Sequence, residues 1–336
     1  MKAKISDIAH RTGLSRGLVS SVLQGGSSNI GFTPETRQKI LRAAKELDYK
    51  VRQANGIGVV HCVGEHQPEQ IDWIQWISPM LARIQIEAIN HNKLLSVFGY
   101  SSMQLDTLLQ GGRGPQIFKR KNIDGMLITG VAQPELIAHI SETGVPHILM
   151  NISDAHTHGS DSVCFDEVFT GAQATRYLLN KGHKKILHVS VGWSGRHYSV
   201  QSRRRGYEQA MAEAGLPGQV IEHVEDRRMG KPTPEFIMEM KRILSGPDRP
   251  TAIFAYNEGV AACCHRILDD LGLRPTDVAL LAAAWQEVRM LELLGIPGLE
   301  LPGAEMGKVA FRMLLDKMQT NEPVPTVALR GMIREP

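Results

Sequence analysis

Apolar positions in the first fifty residues recur with a helical period. Ile5, Ile8 and Ala9 fall at i, i+3 and i+4, with Ser6 and Asp7 suited to the positive start of a helix. Gly13 follows Thr12 and suits the left-handed turn that ends a helix, and Ser15 then stands where an N-cap belongs. Leu18, Val19, Val22 and Leu23 form a second apolar stripe. After a glycine-rich loop at Gly25–Asn29, Thr33 and Pro34 give an N-cap and first-turn pair. The third helix extends to about Asp48, with Ile40, Leu41, Ala44 and Leu47 facing inward. Two short helices joined by a glycine turn are the pattern of a helix-turn-helix.

From Ile57 the period changes. Apolar runs predict strands at Ile57–Val63, Leu94–Gly99, Gly125–Thr129, His147–Met150, Ser162–Phe165, Lys185–Val191, Val220–Val224, Ala252–Ala255 and Val278–Ala283. Amphipathic stretches such as Pro79–His91, Phe169–Lys181 and Ser202–Ala214 lie between them. This alternation predicts an α/β body of doubly wound parallel sheets. The length exceeds one ordinary doubly wound domain, so two lobes with a ligand cleft at the carboxyl ends of their strands are expected.

Composition narrows the class. Apolar residues are 42% and charged residues 22% of the 336, as in a folded protein rather than a disordered one. No apolar run approaches the roughly 20 residues of a membrane span, and the N-terminus has no secretory core, so a cytoplasmic protein is expected. Cys62 and Cys164 are isolated and Cys263 and Cys264 adjacent, which reads as buried thiols. The net charge of +3 is uneven: residues 1–52 hold ten Lys/Arg against four Asp/Glu. A basic head on a mildly acidic body points to a polyanion as the partner of the head.

The polar face of the second helix presents Ser15, Arg16, Gly17, Ser20 and Ser21. Such a helix enters a major groove with its N-terminal residues nearest the bases, and Arg16 is the residue suited to grip guanine bidentately. Signals for catalysis are missing. There is no GxSxG, HExxH or paired-carboxylate arrangement, and Gly111–Pro115 lacks the features of a phosphate loop. His156 and His158, beside Asp154 and Asp161, read as a solvated loop rather than a metal site. No enzyme, cofactor or metal is expected.

These residues carry a resemblance. Ile5-Ser6-Asp7-Ile8-Ala9, Gly13-Leu14-Ser15 and Val19-Ser20-Ser21-Val22-Leu23 are similar to the DNA-binding head of the lactose repressor (LacI/GalR) family. Thr33-Pro34-Glu35-Thr36-Arg37 and Ala43 through Tyr49 resemble that family's third helix. The family usually has arginine and asparagine where this chain has Ser21 and Gln24, and its two operator-reading positions correspond to Arg16 and Gly17. The expected DNA-contacting set is Ser6, Ser15, Arg16, Gly17, Ser20, Ser21, Lys50 and Arg52. After Tyr49 the Pro-Asn and the leucine-bearing hinge helix of the family are missing, and about nine residues are absent, some two and a half helical turns. No normal minor-groove hinge is expected, though Lys50 and Arg52 remain available to phosphates.

In the body, Asn122–Ile128 resembles the family's "VDGII" strand, Lys181–Ile186 its "GHRRI" step and Arg203–Tyr207 its "RxxGF" helix start. Asn257-Glu258 stands in place of "ND", and Gly272–Val278 resembles "GLRVPxDV". The resemblance implies a two-lobed, periplasmic-binding-protein-like body crossed three times by the chain, near 152–160, 284–290 and 316–324. The expected division is 1–50 head, 51–56 linker, 57–155 plus 288–318 first lobe, and 156–287 plus 319–336 second lobe. The implied effector residues are Arg203 as a clamp for hydroxyls or a carboxylate, Asn257, and Asn151 where lactose-type members have aspartate. Ala284 replaces an aspartate that accepts hydrogen bonds from sugars, and Trp285, Trp73 and Trp76 are candidates for a stacking cleft or for packing. The implied function is a repressor that binds a near-palindromic DNA operator as a homodimer under a small-molecule effector, an acidic or aromatic metabolite or a sugar derivative. The alternatives are a small-molecule binding protein, and a regulator without an effector that acts through a protein partner.

Overall fold

The computed structural model describes residues 3–23, 32–49, 55–63, 73–104, 109, 123–131, 133–152, 161–192, 197–223, 232–285 and 288–336, without the side chains of 73–76 and 103. The head is three helices, α1 Ile5–Thr12, α2 Arg16–Leu23 and α3 Pro34–Glu46. The backbone N–H of Lys4 donates to Asp7 Oδ2 at 2.8 Å to open α1, which begins at Ile5 as its apolar period indicates. Gly13 closes it at φ 68°. Ser15 Oγ accepts Leu18 N–H at 3.2 Å and Thr33 Oγ1 accepts Thr36 N–H at 3.2 Å, the two N-caps expected. Ile8, Val19, Val22, Leu23, Ile40 and Ala44 fill the small core, and Arg11 ties α1 to Glu46 of α3 at 2.6 Å.

Twelve strands among the described residues form two six-stranded sheets. The first has the order β11-β5-β4-β3-β1-β2, all neighbours parallel, from β1 Gly56–Cys62, β2 Leu94–Tyr100, β3 Gly125–Gly130, β4 His147–Met150, β5 Ser162–Phe165 and β11 Val327–Leu329. The second has the order β12-β10-β9-β8-β6-β7, from β6 Ile186–Val191, β7 Gln219–His223, β8 Ala252–Ala255, β9 Ala279–Ala284, β10 Gly298–Glu300 and β12 Met332–Arg334. Only the β10–β12 pair is antiparallel. β1, β6 and β8 are buried along their whole length, as central strands of a sheet covered on both faces must be. The covering helices are α4 Trp73–Asn90, α5 Pro134–Thr143, α6 Glu167–Asn180, α7 Tyr198–Glu213, α8 Pro234–Ser245, α9 Glu258–Asp270, α10 Val288–Leu293 and α11 Gly303–Thr320.

Sheet membership corrects the expected lobe boundaries. β5 was assigned to the second lobe but pairs with β4 in the first sheet, and β10, assigned to the first, pairs with β9 in the second. The chain therefore crosses after Phe165, after Glu300 and between Leu329 and Met332, each time later than the sequence indicated. For the second and third crossings the cause is length, since β10, β11 and β12 are three residues each, too short to show a period of two; β5 was legible as a strand, but not the sheet it joins. The crossings lie together. Asp166 N–H donates to Leu329 O at 2.8 Å and Arg330 Nε meets Asp166 Oδ2 at 3.0 Å. Gly331 passes so close to Glu300 O that a Cβ would lie 2.5 Å from it. One core runs through both lobes, with Ile57, Leu127 and Ile148 of the first sheet and Phe254, Leu281 and Leu299 of the second.

Candidate DNA-binding face and interlobe site

The N-terminal end of α2 carries the candidate DNA residues. Ser15, Arg16 and Gly17 are exposed, and Ser6 and Ser20 are partly so. Ser21 is corrected: it is 5% exposed and turned into the head, because its turn of α2 lies against the packed face of Val19, Val22 and Leu23. Lys50, Arg52 and the Gly25–Asn29 loop lie outside the described residues.

The interlobe candidates collect at the carboxyl ends of strands, where such sheets place their ligands. Asn151 follows β4 at φ 54°, Asn257 follows β8, and Trp285 follows β9. Arg203, on α7, reaches Tyr256 at the end of β8. Arg203 is 6% exposed rather than part of a surface basic run, and its donors are committed. Nε and Nη2 donate to the two carboxylate oxygens of Glu167 at 2.6 and 2.8 Å, and Nη1 donates to Tyr256 O at 2.6 Å. The guanidinium also lies 4.5 Å from the Tyr256 ring centre. Burial works against the charge of Arg203, but the Glu167 carboxylate and its hydrogen bonds outweigh it and hold the pKa above the ordinary arginine value. The expected clamp is thus closed on an internal carboxylate that is itself 2% exposed.

A second chain of hydrogen bonds joins the lobes. His197 Nε2 lies 3.0 Å from Asn151 O, which only accepts, so Nε2 carries the proton. Nδ1 then accepts from Ser199 Oγ at 2.6 Å, and Ser199 Oγ accepts from Tyr256 OH at 2.6 Å. Burial lowers the pKa of His197, which keeps this neutral tautomer in place. Tyr198 OH donates to Asn151 Oδ1 at 3.0 Å and accepts Phe165 N–H at 3.1 Å. Asn257 is the N-cap of α9, its Oδ1 accepting Val260 N–H at 2.9 Å. Trp285 stands edge-on to Phe165 at 5.2 Å and 85°, and its backbone N–H donates to Glu258. Trp73 and Trp76 have side chains outside the described residues.

The sequence did not reveal Glu167, His197, Tyr198, Ser199 or Tyr256. Glu167 is 36 residues from Arg203 and looks like an ordinary acidic residue in a first helical turn. Among the described residues no cluster of three or more His, Cys, Asp or Glu could hold a metal, and no helix is long and apolar enough to cross a membrane.

Comparison with known proteins agrees with this architecture. Residues 175–334 match the periplasmic binding protein-like domain family. The HTH-type transcriptional repressor PurR of Erwinia tasmaniensis is 27% identical over 365 residues, spanning 99% of this chain and 97% of that protein. The PurR repressor of an Escherichia coli strain is 28% identical over 347 residues, spanning 96% and 92%. Among solved structures, the lac repressor dimer bound to operator and the anti-inducer ONPF superposes with a TM-score of 0.66 at 17% identity, covering 100% of this chain and 98% of that one. The regulator CelR in complex with cellobiose gives 0.63 at 20%, covering 99% and 98%. The two relatives are named as repressors, not enzymes. With a helix-turn-helix head, a two-sheet body and repressor relatives along nearly the whole chain, this protein is similar from end to end to the HTH-type transcriptional repressors of the PurR kind and shares the fold of the lac repressor.

Proposed function

We propose that the protein represses transcription as a homodimer on a near-palindromic operator, under control of a neutral, aromatic small molecule in the interlobe cleft. The observation that carries the reading is the head: a strongly basic three-helix unit whose exposed α2 N-terminus presents Arg16. Two heads reach successive major grooves about 34 Å apart when the bodies pair. The first lobe offers a surface for pairing, with Ile86 and Ile89 of α4 and Leu94 and Val97 of the edge strand β2 exposed together at 47, 69, 68 and 40%.

The character of the effector follows from the charges. The acidic ligand expected of a free Arg203 loses its partner, since Glu167 holds that guanidinium. A neutral hexose loses the acceptor that Ala284 replaces. Aromatic and amide groups remain, from Trp285, Tyr256 and Asn257. The Arg203–Glu167 pair also favours a second reading, a cleft that needs no effector because its clamp is already filled.

The test is selection of bound duplexes from a randomised pool, followed by titration of wild type and Arg16→Ala on the selected site. A two-fold-related sequence should emerge, bound tightly at low salt and weakly at high salt. Arg16→Ala should weaken it by about tenfold or more, as loss of a bidentate base contact does. Failure of any sequence to enrich overturns the reading.

A further inference from the structure

We propose that the head is docked on the base of the first lobe through Arg37, seated on the glycine that ends α5, and that this contact couples head to body in place of the hinge segment missing from the sequence after Tyr49. Arg37 lies in the first turn of α3. Its neighbours Thr33, Pro34, Glu35, Gln38 and Lys39 are exposed, but Arg37 is half-buried. What covers it belongs to the body. Gly144 is the left-handed C-cap of α5, at φ 68° and ψ 14°. A Cβ on Gly144 would collide with Arg37 Nη2 and lie 3.0 Å from Cζ, so the guanidinium rests against the glycine α-carbon.

Two requirements therefore meet at one residue. The backbone must be left-handed to end α5, and the position must be bare to admit Arg37. Charge favours the seat as well as shape. The C-terminal end of a helix is its negative pole, and the exposed Glu142 adjoins it.

The contact is at the right end of the lobe. The chain enters β1 from Asn55, whose Nδ2 donates to Asn92 O at 2.7 Å and whose O accepts Leu94 N–H at 2.7 Å. Gly56 O accepts Asp124 N–H at 2.7 Å. These bonds pin the entry to the amino ends of β2 and β3. Gly144 leads through Pro146 into the amino end of β4, where Pro146 O accepts Met126 N–H at 2.9 Å. On the other side, Tyr49 is fixed to the head by its N–H to Ala44 O at 2.9 Å. Six residue steps from Tyr49 to Asn55 span at most about 20 Å. The covalent tether thus confines the head near that base, and Arg37 gives it one orientation there.

Two variants test this, with tryptic cleavage after Lys50 or Arg52 as a readout that needs no DNA. Gly144→Asn keeps a residue type that accepts the left-handed turn but fills the seat. Arg37→Met keeps the stem and removes the charge. Both should release the head fragment about two- to fivefold faster, the factor expected for a charge at a helix end, with the melting temperature of the body unchanged. The affinity arm rests on the operator reading above. Gly144→Asn, on the body and away from the DNA face, should bind the selected operator several-fold more weakly with the same salt slope, since no phosphate contact is lost. Unchanged cleavage in both variants overturns the docking. Faster cleavage with equal or tighter operator binding overturns the coupling. A wild type that binds no operator defeats the DNA reading alone, because the cleavage result stands without it.

Discussion

At the level of single residues, the body depends on a charge that water does not reach. Arg203 remains a cation because Glu167 meets it with both oxygens, the pair showing side-chain exposures of 7 and 1%. Removing one partner leaves an uncompensated buried charge, which costs about 3–5 kcal/mol, whereas replacing both with apolar groups is near neutral. Glu167→Ala should therefore lower the calorimetric midpoint by many degrees, and Glu167→Leu with Arg203→Met should restore most of it. If Glu167→Ala melts like wild type, the pair is not closed in solution. The sequence showed half of this arrangement. The motif around Arg203 marked it as a binding residue, but nothing at Glu167 distinguished it from a solvated acid that complements a helix dipole. Pairing across 36 residues is a product of the fold.

At the level of elements, α6 and α7 approach so closely that only glycines fit where they cross. A Cβ on Gly206 would strike the Val168 carbonyl and lie 2.7 Å from Ala172 N, and one on Gly171 would strike the Arg203 carbonyl. Backbone cannot yield as a flexible side chain can, so Gly206→Ala should destabilise by about 1–3 kcal/mol or more through overpacking. A lower urea midpoint at an unchanged slope is the expected result, and an unchanged midpoint would show that the helices separate freely. This crossing holds Glu167 and Arg203 opposite each other. The sequence located both helices from their apolar period, together with all three head helices and nine of the strands, because long buried runs such as Ile186–Val191 carry a strong signal. It missed β10, β11 and β12, three residues each, whose strand character comes from their neighbours.

At the level of the whole molecule, stability should fall as the solution is acidified. Burial pushes the pKa of His188 down to about 4 and that of His61 down to about 3. His188 is neutral in the fold, with Nδ1 against Phe254 O at 2.9 Å and its ring stacked on Phe254 at 4.7 Å. Between about pH 6.5 and these values the unfolded chain binds protons that the folded chain refuses, so each histidine removes up to about 1.4 kcal/mol per pH unit in that window. Above pH 6.5 the contribution is complete. Urea midpoints at pH 7, 6 and 5 should decline in steps, and His188→Gln should make the decline shallower. A midpoint constant to pH 5 would show that both rings take up protons in place. The two-lobed plan was legible in the sequence, but its boundaries were not. Each crossing was placed one strand too early: at the first the sequence showed β5 but not its pairing with β4, and at the other two the strands beside the crossing were too short to see.

The last of those crossings bears on the order in which the molecule is assembled. Ser162 Oγ meets Thr326 Oγ1 at 2.9 Å across 164 residues of sequence, and Lys317 of α11 is clamped to Asp161 at 2.6 Å. The ribosome makes most of the first lobe early, yet its edge strand and one covering helix emerge only after every strand of the second sheet but β12. During synthesis the head has all of its own core within its first fifty residues, while the lobe that carries it stays unfinished until Gly303–Leu329 has been made. A nascent chain stalled before α11 would thus expose a folded DNA-binding head before the body that orients it exists.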